Sequence, residues 1–155
     1  MLENLTIVVI TYERYDCLKR LLNFYLSYNS EVKILVLDSS SFDPEDEELL
    51  KILSNKKISW IRFSSETFFL KKIAEGCSYI DTEFSVLSAD DDFLIPTGIE
   101  ECRIFLKENL DFSSAQGLSY LHFKSSFLKS KLRVENLYQE TAYALDDSSS
   151  LDRLT

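Results

Sequence analysis

Three adjacent carboxylates, Asp90-Asp91-Asp92, follow the apolar run Phe84-Ser85-Val86-Leu87. Like charges at that spacing repel. A fold that sets them at a strand end needs a cation, a phosphate held through a cation, or open solvent around them. Hard divalent ions such as Mg2+ and Mn2+ prefer oxygen ligands, and Mg2+ often takes only one or two protein carboxylates, with phosphate oxygens and water completing its shell. Such an ion would act as a Lewis acid and neutralise a departing diphosphate. The bland alternative is a solvated turn, or a cap for the next helix.

Other residues carry compatible chemistry. Asp38 follows Leu35-Val36-Leu37 directly. Its carboxylate can accept from a nucleobase N–H or from backbone amides in the Ser39-Ser40-Ser41 turn; a plain Asx turn is the alternative. Thr11 and Tyr12 can hold a base by backbone contact and ring stacking, or form an ordinary strand-end turn. Arg14 can reach a phosphate, or pair with Glu13 or Asp16. Of Lys71 and Lys72, one can meet a phosphate, although a lysine on a helix is more often solvated.

Missing signals narrow the class. The chain has neither G-x-G-x-x-G nor G-x-x-x-x-G-K-[ST], so a dinucleotide-binding domain and a P-loop are disfavoured. The single histidine, His122, allows no histidine metal site and no Ser-His-Asp or Cys-His set. Cys17, Cys77 and Cys102 match no zinc spacing and read as reduced, partly buried core thiols. A net charge of −9 argues against a nucleic-acid partner and a polybasic membrane anchor. No apolar run approaches the ~18 residues of a membrane span, and no signal peptide is visible.

The elements that must position these groups alternate. Thr6–Ile10, Ile34–Leu37, Ile58–Arg62 and Phe84–Leu87 read as buried strands. Between them, Leu18, Leu21, Leu22, Tyr25 and Leu26 recur at helical spacing, as do Leu70, Ile73, Ala74 and Cys77. Asp43-Pro44 reads as a helix start, with aspartate as N-cap and proline at the first helical position. Thr97-x-x-Glu100 reads as a capping box. Phe112–Ala115 and Tyr120–Phe123 are further strand candidates. Repeated strand-helix units imply a mostly parallel α/β sheet with helices on both faces. Ligands of such sheets bind beyond the carboxyl ends of the strands. The segments Thr11–Arg14, Asp38–Ser41, Phe63–Glu66 and Ala89–Asp92 all fall on that rim. Residues 1–145 are expected to form the domain, incomplete at its C-terminus, and 146–155 a polar tail.

At this point the motifs resemble a family. Leu5-Thr6-Ile7-Val8-Val9-Ile10-Thr11-Tyr12-Glu13-Arg14 is similar to the opening strand and loop of family-two glycosyltransferases with the Rossmann-like GT-A fold. Val36-Leu37-Asp38-Ser39-Ser40-Ser41 resembles their second strand and its aspartate turn. Val86 to Pro96 resembles their D-x-D metal segment. The resemblance implies a nucleotide-sugar donor, UDP-sugar first, and inverting transfer to a glycan, lipid-linked or protein acceptor with Mn2+ or Mg2+. It places this in bacterial glycan or surface polysaccharide assembly, in the cytoplasm or peripherally at the inner face of the membrane. It implies nucleotide contacts from Thr11, Tyr12, Arg14, Asp38, Ser40, Lys72 and Asp90, and metal ligation by Asp91, with Asp92 as the alternative ligand. The alternatives are a non-catalytic donor-binding module and a nucleotidyltransferase. Departures are Ile10 for the usual proline, Ser39-Ser40-Ser41 for Asp-Gly-Ser, and Ala89 where many members have the first aspartate. Asp146 and Asp147 are candidates for the general base only by elimination.

Overall fold

The computed structural model describes residues 2–28, 32–117, 120–123 and 133–136. The chain divides into two units, residues 1–115 and 116–155. The first holds strands β1 (Leu5–Thr11), β2 (Lys33–Asp38), β3 (Ile58–Arg62) and β4 (Phe84–Ala89). Its helices are α1 (Tyr15–Ser27), α2 (Glu47–Leu53), α3 (Phe69–Gly76) and α4 (Pro96–Glu108). The second contains an antiparallel pair, β5 (Tyr120–Phe123) and β6 (Arg133–Asn136). His122 falls in β5. Among the described residues no helix is long and apolar enough to cross a membrane.

The four strands of the first unit form one parallel sheet in the order β3-β2-β1-β4. Side chains alternate across it. Ile7, Val9, Ile34 and Val36 point to the face covered by Leu18, Leu21 and Leu22 of α1, Leu49 of α2 and Ile99 of α4. Those three leucines of α1 are fully buried, and each contributes roughly 2 kcal/mol by leaving water. Val8, Leu35 and Leu37 point the other way, against Ile61, Phe63 and Ile80. There α3 comes so close that a Cβ on Gly76 would lie 2.4 Å from Leu37 Cδ1. At the edge, Ser85 and Leu87 of β4 are exposed on this second face.

Several local expectations are corrected. The second helix is capped by Asp46, whose carboxylate accepts from Leu49 N at 2.9 Å, not by Asp43. Starting there puts Leu49, Ile52 and Leu53 on the buried side. No capping box forms at Thr97, because α4 starts at Pro96 and Ile95 is the N-cap. Helix α3 buries Lys72 and Gly76 and leaves Leu70, Ala74 and Cys77 exposed. Cys77 is therefore no core thiol, while Cys17 and Cys102 are half-buried; all three are free. Phe112–Ala115 forms no strand; Phe112 turns back to pack its ring edge-on against Phe105 of α4.

Glu100, displaced from capping, ties the chain's start to α4. It accepts from Leu2 N at 3.0 Å and from Arg103 Nε at 3.0 Å and Nη2 at 2.8 Å. The Arg103 guanidinium, opposed by partial burial and helped by the Leu2 amide, holds its carboxyl at about 2. A depressed carboxyl stabilises the fold above its ordinary value and loses that contribution as pH falls through the folded one. Glu100→Gln is therefore expected to flatten the loss of stability between pH 4.5 and about 2. Urea midpoints at stepped pH check this, and a slope equal to that of the wild type would assign the acid sensitivity elsewhere.

Candidate functional site

Strand register brings the predicted groups to one edge. Thr11 ends β1 opposite Asp38, and Asp38 lies opposite Arg62 at the end of β3. On the other side of β1, Ile10 pairs with Ala89, so Asp90 arrives beside Thr11. The Thr11 hydroxyl donates to Asp90 Oδ2 at 2.7 Å.

A cleft of about 530 Å3 opens at this edge. Its polar lining includes Thr11, Arg14, Ser39, Thr67, Lys72 and Asp92. Tyr12, half-exposed, also lines the wall. Lys72 is 3 % exposed and donates to the Thr11 carbonyl at 3.0 Å and to Ser39 Oγ at 2.9 Å. Burial pushes its ammonium below the usual lysine range, against the opposing fields of Asp38 and Asp90.

The triplet does not act as one cluster. Asp90 is fully buried; its Oδ1 has no hydrogen-bond donor among the described residues and lies against the guanidinium of Arg14. Burial raises its carboxyl above the ordinary range, outweighing Thr11 and Arg14. Asp91 is half-exposed and held by Arg14 through Nη1 to Oδ2 at 2.9 Å and Nη2 to Oδ1 at 3.3 Å. Asp92 is exposed on the cleft wall. Among the described residues no group of three or more His, Cys, Asp or Glu is arranged to hold a metal by itself.

Asp38 lies outside the lining of the cleft. It is fully buried, and its Oδ1 accepts from Ser40 N at 2.8 Å. Its Oδ2 receives three donors: Arg62 Nη1 at 2.8 Å, the Tyr15 hydroxyl at 3.0 Å and Trp60 Nε1 at 3.1 Å. Burial would raise its carboxyl, but these bonds outweigh it and hold Asp38 below the ordinary range. Arg62 also donates to the carbonyls of Ser40 and Phe42 and lies 5.5 Å from the Trp60 ring centroid. Ser40 joins this network through its hydroxyl, which accepts from Glu13 N at 2.7 Å.

Tyr15, Trp60 and Arg62 were not foreseen from the sequence. The signal for Arg62 was present, since it ends β3 as Asp38 ends β2. Asp146 and Asp147 lie outside the described residues.

This is a parallel α/β domain with a polar cleft at the carboxyl ends of its strands. The sequence matches Glycosyl transferase family 2 over residues 6–152, and the chain belongs to that family. A comparison with curated proteins found no match.

Proposed function

We propose that this glycosyltransferase takes a nucleoside-diphosphate sugar, UDP-linked in the first instance, and transfers the sugar to an acceptor hydroxyl. The observation that carries this reading is the convergence of Thr11, Tyr12, Arg14, Lys72 and Asp92 on one cleft. Cationic groups on a polar floor suit the diphosphate, and the Tyr12 ring suits a base. Asp38 reads the base only if a donor draws one of its present partners away.

In favour of a divalent cation, Mg2+ or Mn2+, stand two consecutive carboxylates that are not buried, Asp92 on the cleft wall and half-exposed Asp91. Two carboxylates suffice where phosphate oxygens complete the shell. When bound, the ion would offset negative charge on the leaving diphosphate. Asp91 and Asp92 would hold it, Lys72 and Arg14 would face the phosphates, and Asp90 would stay buried as the partner of Thr11. We place the reaction in bacterial glycan or surface polysaccharide assembly on the cytoplasmic side. Inversion at the sugar requires a carboxylate base that deprotonates the acceptor.

Titration calorimetry with UDP, with and without Mn2+, tests the reading on wild type and Asp91→Asn. Metal-dependent binding that weakens at least tenfold in the variant is expected. Absence of binding to UDP, GDP, CMP and dTDP alike would overturn it. Binding without turnover of any UDP-sugar would leave a donor-binding module instead.

A further inference from the structure

The Arg14 guanidinium sits between Asp90 and Asp91, in contact with a carboxylate oxygen of each. Its backbone is fixed from two sides. Glu13 adopts a left-handed φ of 54°, a conformation that costs a non-glycine residue energy unless its surroundings hold it. Ser40 Oγ holds the Glu13 amide, and the Ser41 hydroxyl donates to the Glu13 carboxylate. On the other side, the Arg14 carbonyl accepts from Cys17 N at 2.9 Å and Leu18 N at 3.1 Å as the N-cap of α1. The side chain, by contrast, is 48 % exposed and reaches the cleft. A fixed backbone therefore carries a half-exposed cation.

That cation engages both carboxylate oxygens of Asp91. A doubly charged ion there would displace the bidentate Arg14–Asp91 contact and lie against a positive neighbour. A diphosphate changes the balance, because its oxygens match the guanidinium fork as well as a carboxylate does. We propose that Arg14 is an internal counter-ion which competes with the divalent cation for Asp91 and moves to the donor diphosphate when it binds. Metal and nucleotide then bind synergistically, and the empty enzyme holds metal poorly. This inference rests on the reading of the cleft as a donor site, but its first test needs no nucleotide.

The test is Mn2+ titration of the full chain, read as loss of the free-ion paramagnetic resonance signal, on wild type, Arg14→Gln, Arg14→Lys and Arg14→Gln with Asp91→Asn. Without nucleotide, Arg14→Gln should bind Mn2+ at least tenfold more tightly than wild type. Adding Asp91→Asn should erase that gain. UDP should tighten Mn2+ binding strongly in wild type and little in Arg14→Gln. Equal Mn2+ affinity in wild type and Arg14→Gln, with unchanged circular dichroism, would overturn the proposal. Should Arg14→Gln fail to fold over the buried Asp90, Arg14→Lys decides. It keeps a charge for Asp90 but cannot fork across two carboxylates, so a severalfold gain is expected and no gain overturns the idea. A chain that binds no UDP but shows the Mn2+ gain would remove the donor reading and leave the competition standing.

Discussion

Asp38→Ala is expected to cost about 4 kcal/mol of stability and to lower the thermal midpoint by on the order of 10 °C. The carboxylate is fully buried and takes four donors, from Ser40, Tyr15, Trp60 and Arg62. Alanine takes the acceptor away from the Ser40 amide and Trp60 Nε1 and leaves the guanidinium without its buried partner, while the Tyr15 hydroxyl keeps the Phe42 carbonyl at 2.8 Å. Arg62 then keeps the carbonyls of Ser40 and Phe42 and, at 3.3 Å, the exposed carboxylate of Asp43, whose solvated charge is a weak substitute for a buried one. Asp38→Asn should fall between, since it retains one acceptor oxygen but turns an amide toward donors. The pH dependence follows from the depressed carboxyl. Its contribution is full above the unfolded value of about 3.9 and is lost as pH falls through the folded one. Urea unfolding at pH 7 decides the matter, and a loss under about 1 kcal/mol would mean that these donors are satisfied elsewhere. Folded Asp38→Asn that binds UDP as wild type does would take base reading away from this residue.

Lys72→Met should do the reverse, keeping the fold and losing the ligand. The lysine is buried at a cost, as its lowered ammonium value indicates. Its carbonyl partner at Thr11 also accepts from Ser39 N at 3.3 Å, so that oxygen keeps a donor after substitution. Asp38 retains Arg62, and Asp90 retains Thr11 and Arg14. Methionine fills the space of the lysine stem. Stability at pH 7 is therefore expected to hold or rise slightly. UDP affinity should fall roughly a hundredfold, about 2.7 kcal/mol, through loss of a desolvated cation beside the phosphates. Unfolding curves and calorimetry on one preparation separate the two effects. A destabilised variant with unchanged UDP affinity would make Lys72 a brace between β1 and β2 and nothing more.

The strands were legible because each is a short, mostly apolar run ended or followed by a polar residue, although only β1 and β2 bury both faces while β3 and β4, at the sheet edges, leave Ser59, Ser85 and Leu87 exposed. That pattern of run and polar end also aligned Thr11, Asp38, Arg62 and Asp90 at a common edge. What was not legible depended on which face of a helix meets the sheet. At the start of α3, Phe69, Leu70 and the N-cap Phe68 are exposed while Lys72 is buried, the opposite of what hydrophobic spacing indicates. The lysine goes inward because buried acceptors and two carboxylates await it, and those partners come from other segments. The start of α2 was obscured by an acidic stretch in which Asp43 and Asp46 are equally good caps. Packing of Leu49 chose between them. The separation of the triplet into a buried, a clamped and a free carboxylate was likewise invisible, because it depends on the placement of Arg14 from 77 positions earlier.

The strand order carries a consequence for how the chain is made. Strand β1 is central, yet its partner β4 lies far along the sequence; Thr11 and Asp90, bonded across that edge, are 79 residues apart. At about 5–20 residues per second of synthesis, the β4 side of the nascent Leu5–Thr11 segment stays open for roughly 4–16 s. Helices α1 and α2 can meanwhile close one face over β1, β2 and β3. During that interval the segment is an apolar strand with a free edge, a template for pairing with another chain. The arrival of residues 84–89 ends that interval: β4 covers the open side of β1, becomes the edge itself, and brings Leu87, Ala89 and Asp92 to the cleft in the same event.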